Sequence, residues 1–161
     1  MKEGNKLSFD FSITALRTLP SHIGPVKLQI RFLDYQNDEV IGTEEVLAEF
    51  TTDMYNPLVN FTKKIRNLSL PSSTVAIIKV MGISTLSYEP GLLGFSYFHL
   101  GFDEGGFALE KDKDNYFLIN GCYQLPVFWG NTDSYLSLEK LHQMFPFIPC
   151  FSILVCVGLP Q

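Results

Sequence analysis

The side chains able to do chemistry are few and widely spaced. Histidine stands at positions 22, 99 and 142, and cysteine at 122, 150 and 156. None of the histidines falls in HxxEH, HExxH or CxxCH spacing, so a zinc-protease or haem-attachment reading has no footing. Ser96, within "GFSYF", lacks the second glycine of a nucleophile elbow. A thiol of Cys122 or Cys150 beside a spatially adjacent histidine is the one nucleophilic arrangement left open; cysteine in a strand pattern ordinarily serves as a small core residue. The stretch "FDEGGFALEKDKDNYF" (102–117) sets Glu110, Asp112 and Asp114 at i, i+2 and i+4. It fails as an EF-hand loop, because no glycine occupies the sixth position from Glu110 and no glutamate the twelfth. A solvated hairpin loop is the plainer reading. No glycine-rich turn opens a helix to cradle phosphate. These residues predict a non-catalytic protein with no cofactor and no metal.

Two further groups point to surfaces rather than reactions. Lys63, Lys64 and Arg66, with Lys27 and Arg31 on another segment, form a modest basic cluster suited to anionic lipid. Each such residue near an anionic membrane contributes only about 1 kcal/mol. Strand alternation also divides the cluster, with Lys64 and Arg66 on one face and Lys63 on the other beside Phe61 and Ile65. Glu45, Glu49 and Asp53 are at hand to neutralise it. Weak contact with an anionic membrane is therefore the alternative function. Tyr88, Leu92, Phe128, Trp129 and Tyr135 lie at or beside expected turns and form the candidate partner surface, since aromatic residues dominate interface hot spots. The competing reading folds Phe128 and Trp129 back over the core.

The elements that must carry these residues follow from composition and period. The 161 residues are 46% apolar and only 18% charged, enough for one packed domain over 1–161. The net charge of −5 argues against nucleic acid as a partner. Residues 1–80 hold nine basic and nine acidic side chains and residues 81–161 three and eight, so the acidity belongs to the second half. Three cysteines without CxxC spacing fit free thiols in a reducing compartment. The sequons Asn60-Phe61-Thr62 and Asn67-Leu68-Ser69 follow no signal peptide, because "MKEGNKLSF" has no apolar core. The apolar run from Cys150 to Leu159 is too short to cross a bilayer as a helix. A cytoplasmic domain is the expectation.

Leu7, Phe9, Phe11 and Ile13 alternate with polar residues, as do Val26, Leu28, Ile30 and Phe32; both stretches read as half-buried strands. Further strands are expected at 45–50, 58–66, 93–100, 115–125 and 150–157. "TVAIIKVMG" (74–82), apolar on both faces, reads as a central strand. Turns fall at Pro20/Gly24/Pro25, Asn37-Asp38, Asn56-Pro57, Pro71-Ser72-Ser73, Pro90-Gly91 and Gly105-Gly106. One helix is expected at 134–145, with Leu138, Leu141 and Phe145 on one face, a cap at Asp133 or Ser134, and Pro146 as its stop. The sum is an all-β, eight-stranded antiparallel sandwich with one short helix in a long excursion at 101–149.

Two stretches narrow this class. "TTDMYNPLVNFTKKI" (51–65) resembles the C2-domain segment T-x-N-P-x-W-N; Asn56, Pro57 and Asn60 match, and Val59 replaces the usual tryptophan. "EPGLLGFSYFHL" (89–100) resembles the C2 signature in which a Leu-Gly pair enters a strand ending in leucine. The resemblance covers roughly 7–100 and the closing strand, but not the 101–149 excursion. Calcium-dependent C2 domains carry aspartate clusters in two loops. Here the first loop reads "LPSHIGP", with Ser21 and His22 in the ligand region, and the second, "VMGISTLSYEPG", offers Glu89 as its only carboxylate. Calcium needs six to eight oxygens, mostly from carboxylates, so the resemblance implies a degenerate, calcium-independent C2-like protein-interaction module. "INGCYQLPVF" and "IPCFSILVCVGL" are similar to segments of C2-like domains in coiled-coil-containing ciliary proteins. That similarity implies a larger scaffold, cilium or flagellum assembly as its setting, and a cilium- or centrosome-associated location.

Overall fold

Period-two alternation becomes paired backbone in the computed structural model, which describes residues 6–49 and 53–160. The strands are β1 (Lys6–Arg17), β2 (Ile23–Leu33), β3 (Glu39–Leu47), β4 (Leu58–Ser69), β5 (Val75–Ser84), β6 (Pro90–His99), β7 (Gly101–Phe102), β8 (Phe117–Leu118), β9 (Gly121–Phe128) and β10 (Phe147–Gly158). The helix α1 (Leu138–Met144) precedes β10. Eight strands form one antiparallel sheet in the order β3-β2-β5-β6-β9-β10-β1-β4, and β7 pairs with β8 apart from it.

The sheet folds over between β6 and β9, which share a single ladder pair, Phe95 with Phe128. That fold gives two four-stranded layers, a nearly closed antiparallel sandwich. The free edges meet again where Glu49 N–H donates to the Leu58 carbonyl at 2.7 Å. Lys63 of β4 and Glu44 of β3 pair at 2.5 Å beside that seam. Between the layers lie Phe9, Phe11, Ile13, Leu28, Ile30, Phe32, Ile78, Val80, Phe98, Ile153 and Val155, all buried. Alternation explains the set, because each supplies the inward residue of its strand. Gly94 allows the crossing, since a Cβ there would sit 2.3 Å from the Phe128 carbonyl oxygen.

The excursion is two structures separated by a sandwich strand. Residues 100–120 cap one end of the sandwich. Residues 129–146 form a strap that crosses the outer face of the β2-β5-β6 layer. Leu33, Val75, Ile77, Phe95, Tyr97 and Phe128 make a second apolar cluster there with Leu141, flanked by Tyr135, Leu136, Leu138 and Phe145. β5 is thus apolar on both faces because the strap provides a third layer over it.

Several expectations are corrected. The third strand is Glu39–Leu47, not 45–50, and Phe50 lies outside the described residues, as do Thr51 and Thr52. The 115–125 strand divides into β8 and β9, because the Ile119 N–H turns away to donate to the Leu100 carbonyl at 2.7 Å. Pro90 and Gly91 belong to β6, opposite Ile83 and Gly82, so the turn precedes them. The helix has seven residues and is capped by Ser137, whose side chain accepts from Lys140 N–H; Asp133 serves elsewhere. The free-thiol expectation fails for two of three cysteines. Cys122 and Cys156 face each other across β9 and β10 and are joined as a disulfide, with Cα atoms 4.0 Å apart, while Cys150 is free and exposed.

Candidate functional site

Three loops converge at one end of the sandwich, after β1, β3 and β5. The His22 carbonyl accepts from Thr85 N–H at 2.8 Å, and the Tyr55 carbonyl accepts from Leu19 N–H at 2.8 Å. Asn56 Oδ1 accepts from Thr18 N–H at 3.1 Å. Asn56 in turn donates to Asp53 Oδ2 at 2.9 Å, which together with the Tyr55 backbone holds the Asp53 carboxyl below its usual range. The loops are therefore braced against each other by short polar contacts.

What they display is apolar. Tyr88 is 81% exposed and Leu86 is 72% exposed, on a turn closed by Tyr88 N–H donating to the Ser84 carbonyl. Below them, Ile83 and Leu92 are also exposed, and Leu92 sits opposite Met81. Met54 and Tyr55 of the neighbouring loop are more than half exposed. Exposed apolar residues gathered at one end mark a contact surface more strongly than the same residues scattered. Glu89, in the third loop, is the one carboxylate that the first and third of these loops carry between them. Among the described residues no three His, Cys, Asp or Glu side chains gather as a metal site.

The five residues of the candidate partner surface separate. Tyr88 and Leu92 belong to this end. Phe128 is corrected out of the surface: it is 4% exposed and stacked on Phe95 at 5.4 Å. Trp129, one residue on, points to solvent at 60% exposure, because alternation turns it away from the cluster that buries its neighbour. Tyr135 is half-buried and packs edge-on to Tyr97 and His99. Its hydroxyl group reaches towards the Leu109 carbonyl at 3.5 Å, and burial drives its pKa up. Leu86, Ile83, Met54 and Tyr55 were not singled out from the sequence. An apolar pair inside the turn "ISTLSYEP" was the available signal.

The basic cluster is largely spent on ion pairs. Lys27 pairs with Glu45 at 2.8 Å, Lys63 with Glu44 at 2.5 Å, and Arg66 with Asp10 at 2.8 Å. Arg31 reaches Asp133 at 3.5 Å. Lys64 is exposed on β4. The split between Lys63 and its neighbours follows the expected alternation. Lys79, which no sequence pattern marked, is buried and bonded to Asp133, and this contact pins the strap. The Lys79 ammonium, aided by Arg31, holds the Asp133 carboxyl below its usual range.

The residues weighed for catalysis lie in different environments. Ser96 Oγ donates to the Pro126 carbonyl at 2.7 Å and is fully buried. His142 is exposed and stands edge-on to the rings of Phe128 and Phe147, which pack on each other at 4.6 Å. His22 is exposed at the loop end with a positive φ of 62°. His99 is buried near the other end among Tyr97 and Tyr135, and neither ring nitrogen makes a hydrogen bond. Burial pushes its pKa down to about 4, against smaller upward pulls from Glu110 and the Leu109 backbone.

Compared with models of known families and with curated protein sequences, the chain matches none.

Proposed function

We propose that this chain is a non-catalytic, calcium-independent, C2-like module that docks a protein partner through the braced loop end. The observation that carries the reading is the exposed set Ile83, Leu86, Tyr88 and Leu92 on a rigid two-layer frame. Apolar side chains held out on braced loops lose little entropy on binding, which favours a specific contact. The C2-like part of the reading draws support from Gly94, whose partner in the Leu-Gly pair, Leu93, packs on the core while Gly94 lets β6 and β9 cross. Val59, standing where the C2 pattern has tryptophan, is likewise buried. We place the module in a larger coiled-coil-containing scaffold of cytoplasmic, cilium- or centrosome-associated type, with cilium or flagellum assembly as its setting. Such scaffolds need a docking surface rather than an active site.

The test is co-purification from cells expressing the full-length parent protein, with the partner identified by mass spectrometry. The paired substitution Leu86→Ser and Tyr88→Ala should abolish capture while leaving the melting temperature unchanged. Capture that survives both substitutions refutes the reading. Peripheral membrane binding is the second reading, and the ion pairs made by Lys27, Arg31, Lys63 and Arg66 weigh against it. Vesicles containing phosphatidylserine should therefore fail to pellet the protein at physiological salt; salt-sensitive pelleting would favour the membrane reading. A melting temperature raised by calcium over an EDTA control would overturn the calcium-independent part.

A further inference from the structure

The strap of residues 129–146 is held to the sheet through side chains. Among the described residues, no backbone group of 130–145 bonds to a backbone group of the sheet or of the cap. Its amides are caught by side-chain acceptors instead: Tyr135 N–H by Asn37 Oδ1, Leu136 N–H by the Tyr97 hydroxyl oxygen at 3.0 Å, and Leu138 N–H by Glu110 Oε1 at 3.0 Å. Asp133 completes the set by pairing with Lys79 and Arg31. Leu141 is the one fully buried residue of the strap, whereas the face beneath it, formed by Leu33, Val75, Ile77, Phe95, Tyr97 and Phe128, is buried throughout.

The two feet of the strap are tied to each other. Trp129 N–H donates to the Pro146 carbonyl at 2.7 Å, and flanking that bond Phe128 of β9 faces Phe147 of β10 in the ladder, with ring centroids 4.6 Å apart. Gly130, beside the first foot, has a φ of 127°, a backbone region that glycine enters readily and other residues do not. The feet can therefore stay in place while the span between them swings, which is the geometry of a hinge. A segment with few buried contacts and no ladder of its own opens at lower free energy than the sheet that carries it.

His99 lies where the span meets the sheet. It is buried on β6 opposite Val75, with its ring 6.0 Å from Tyr135 of the strap and 5.4 Å from Tyr97, and neither nitrogen is bonded. Glu110, which holds the Leu138 amide, also acts on His99 through its charge. Lifting the span removes Tyr135, admits water to the imidazole and frees Glu110 from that amide. We propose that the strap is an acid-released latch: residues 130–145 lift as a unit from the β2-β5-β6 face, the sheet stays folded, and proton uptake by His99 drives the lifting. None of these contacts belongs to the three loops of the docking end, so the inference stands apart from that reading.

The direction of the effect follows from burial. With the strap closed the imidazole stays neutral down to about pH 4, and with the strap lifted it takes up a proton near the ordinary value of about 6.5. Between those values the lifted form binds more protons, so acid favours it. The Tyr97 and Tyr135 hydroxyl groups, both pushed upward by burial, stay neutral across this window, and Asp133, held low by Lys79, stays ionised. From pH 7 to pH 5 the lifting equilibrium should rise about twentyfold.

The test is amide hydrogen exchange of the ¹⁵N-labelled full chain between pH 8 and pH 5, corrected for intrinsic rates. The amides of Tyr135, Leu136 and Leu138 should exchange faster than those of the β1-β10 ladder throughout, and should be insensitive to dilute urea that speeds the ladder. Their protection should be flat from pH 8 to pH 7 and then fall about twentyfold by pH 5. His99→Leu and His99→Phe, neither of which titrates, should both lose that fall, and either variant that folds suffices for the comparison. Strap amides as protected and as urea-sensitive as the ladder would mean that the strap opens only with the whole fold, which overturns the inference. Equal protection at pH 7 and pH 5 in the wild type, or a fall that survives in a His99 variant, overturns it too.

Discussion

Lowering the pH from 7 to 5 should cost the fold about 2 kcal/mol through His99 alone. The imidazole is buried at 5% exposure with no hydrogen bond to either nitrogen, so the folded protein holds it neutral down to about pH 4. The unfolded chain takes up a proton near the ordinary value of about 6.5. Between those two values the unfolded state binds more protons than the folded one, and stability falls as the pH falls. Above pH 6.5 the two states are alike in this respect and nothing is lost. Across the whole window the difference of about 2.5 units corresponds to about 3 kcal/mol, of which about two-thirds has gone by pH 5. The groups facing His99 are the Tyr97 and Tyr135 rings, the Glu110 carboxylate and the Leu109 backbone, and the last two offset only part of the effect of burial. Urea denaturation at pH 7, 6 and 5 measures it, with His99→Leu as the comparison. The wild type should lose about 2 kcal/mol more than the variant over that span. Parallel pH profiles for the two proteins, or a His99 imidazole resonance titrating near 6.5 in the folded state, would refute the reasoning.

Three other outcomes follow from the same structure. Asp133→Ala leaves the buried Lys79 ammonium unpaired and should cost roughly 1 to 2 kcal/mol in thermal melts, discounted because Asp133 is itself mostly exposed; adding Lys79→Met should recover most of the loss. Reduction of Cys122–Cys156, which encloses a chain separation of 34 residues, should lower the melting temperature by on the order of 10 °C, and Cys150→Ser should not change it. Gly94→Ala drives a methyl group into the Phe128 carbonyl and should cost about 3 kcal/mol or prevent folding, read by circular dichroism and denaturant midpoint.

The residues of β1 and β2 announced their strands because one face of each meets solvent and the other the core. β5 was equally legible as a central strand, but the reason for its second apolar face was not. Its cover comes from Leu141 and its neighbours some sixty residues downstream, and no local pattern links the two. β3 escaped the correct bounds because "EVIGTEEVL" is an edge strand with few inward residues: Ile41 is its one buried residue, and Gly42, Thr43, Glu44 and Glu45 follow it. The loop end was legible through Tyr88 and Leu92. Phe128 and Trp129 illustrate the boundary of such reading: adjacent aromatics beside a turn look alike in sequence, and one residue of alternation sends them to opposite environments. The pairing of Lys79 with Asp133, and that of Cys122 with Cys156, depends on which strands become neighbours. Spacing along the chain carries no trace of that choice.

The strap over β5 also bears on how the chain reaches its native state. As synthesis proceeds, the β2-β5-β6 face emerges with Val75, Ile77, Phe95 and Tyr97 bare, and stays so until residues 129–146 have left the ribosome. The opening strand, β1, likewise waits for the closing strand, β10, before it gains its second neighbour. Assembly dominated by such distant pairings is slow, and exposed sheet faces invite association with other nascent chains. Truncations that stop short of the strap should therefore accumulate in inclusion bodies, whereas chains extending through Gly158 should remain dispersed.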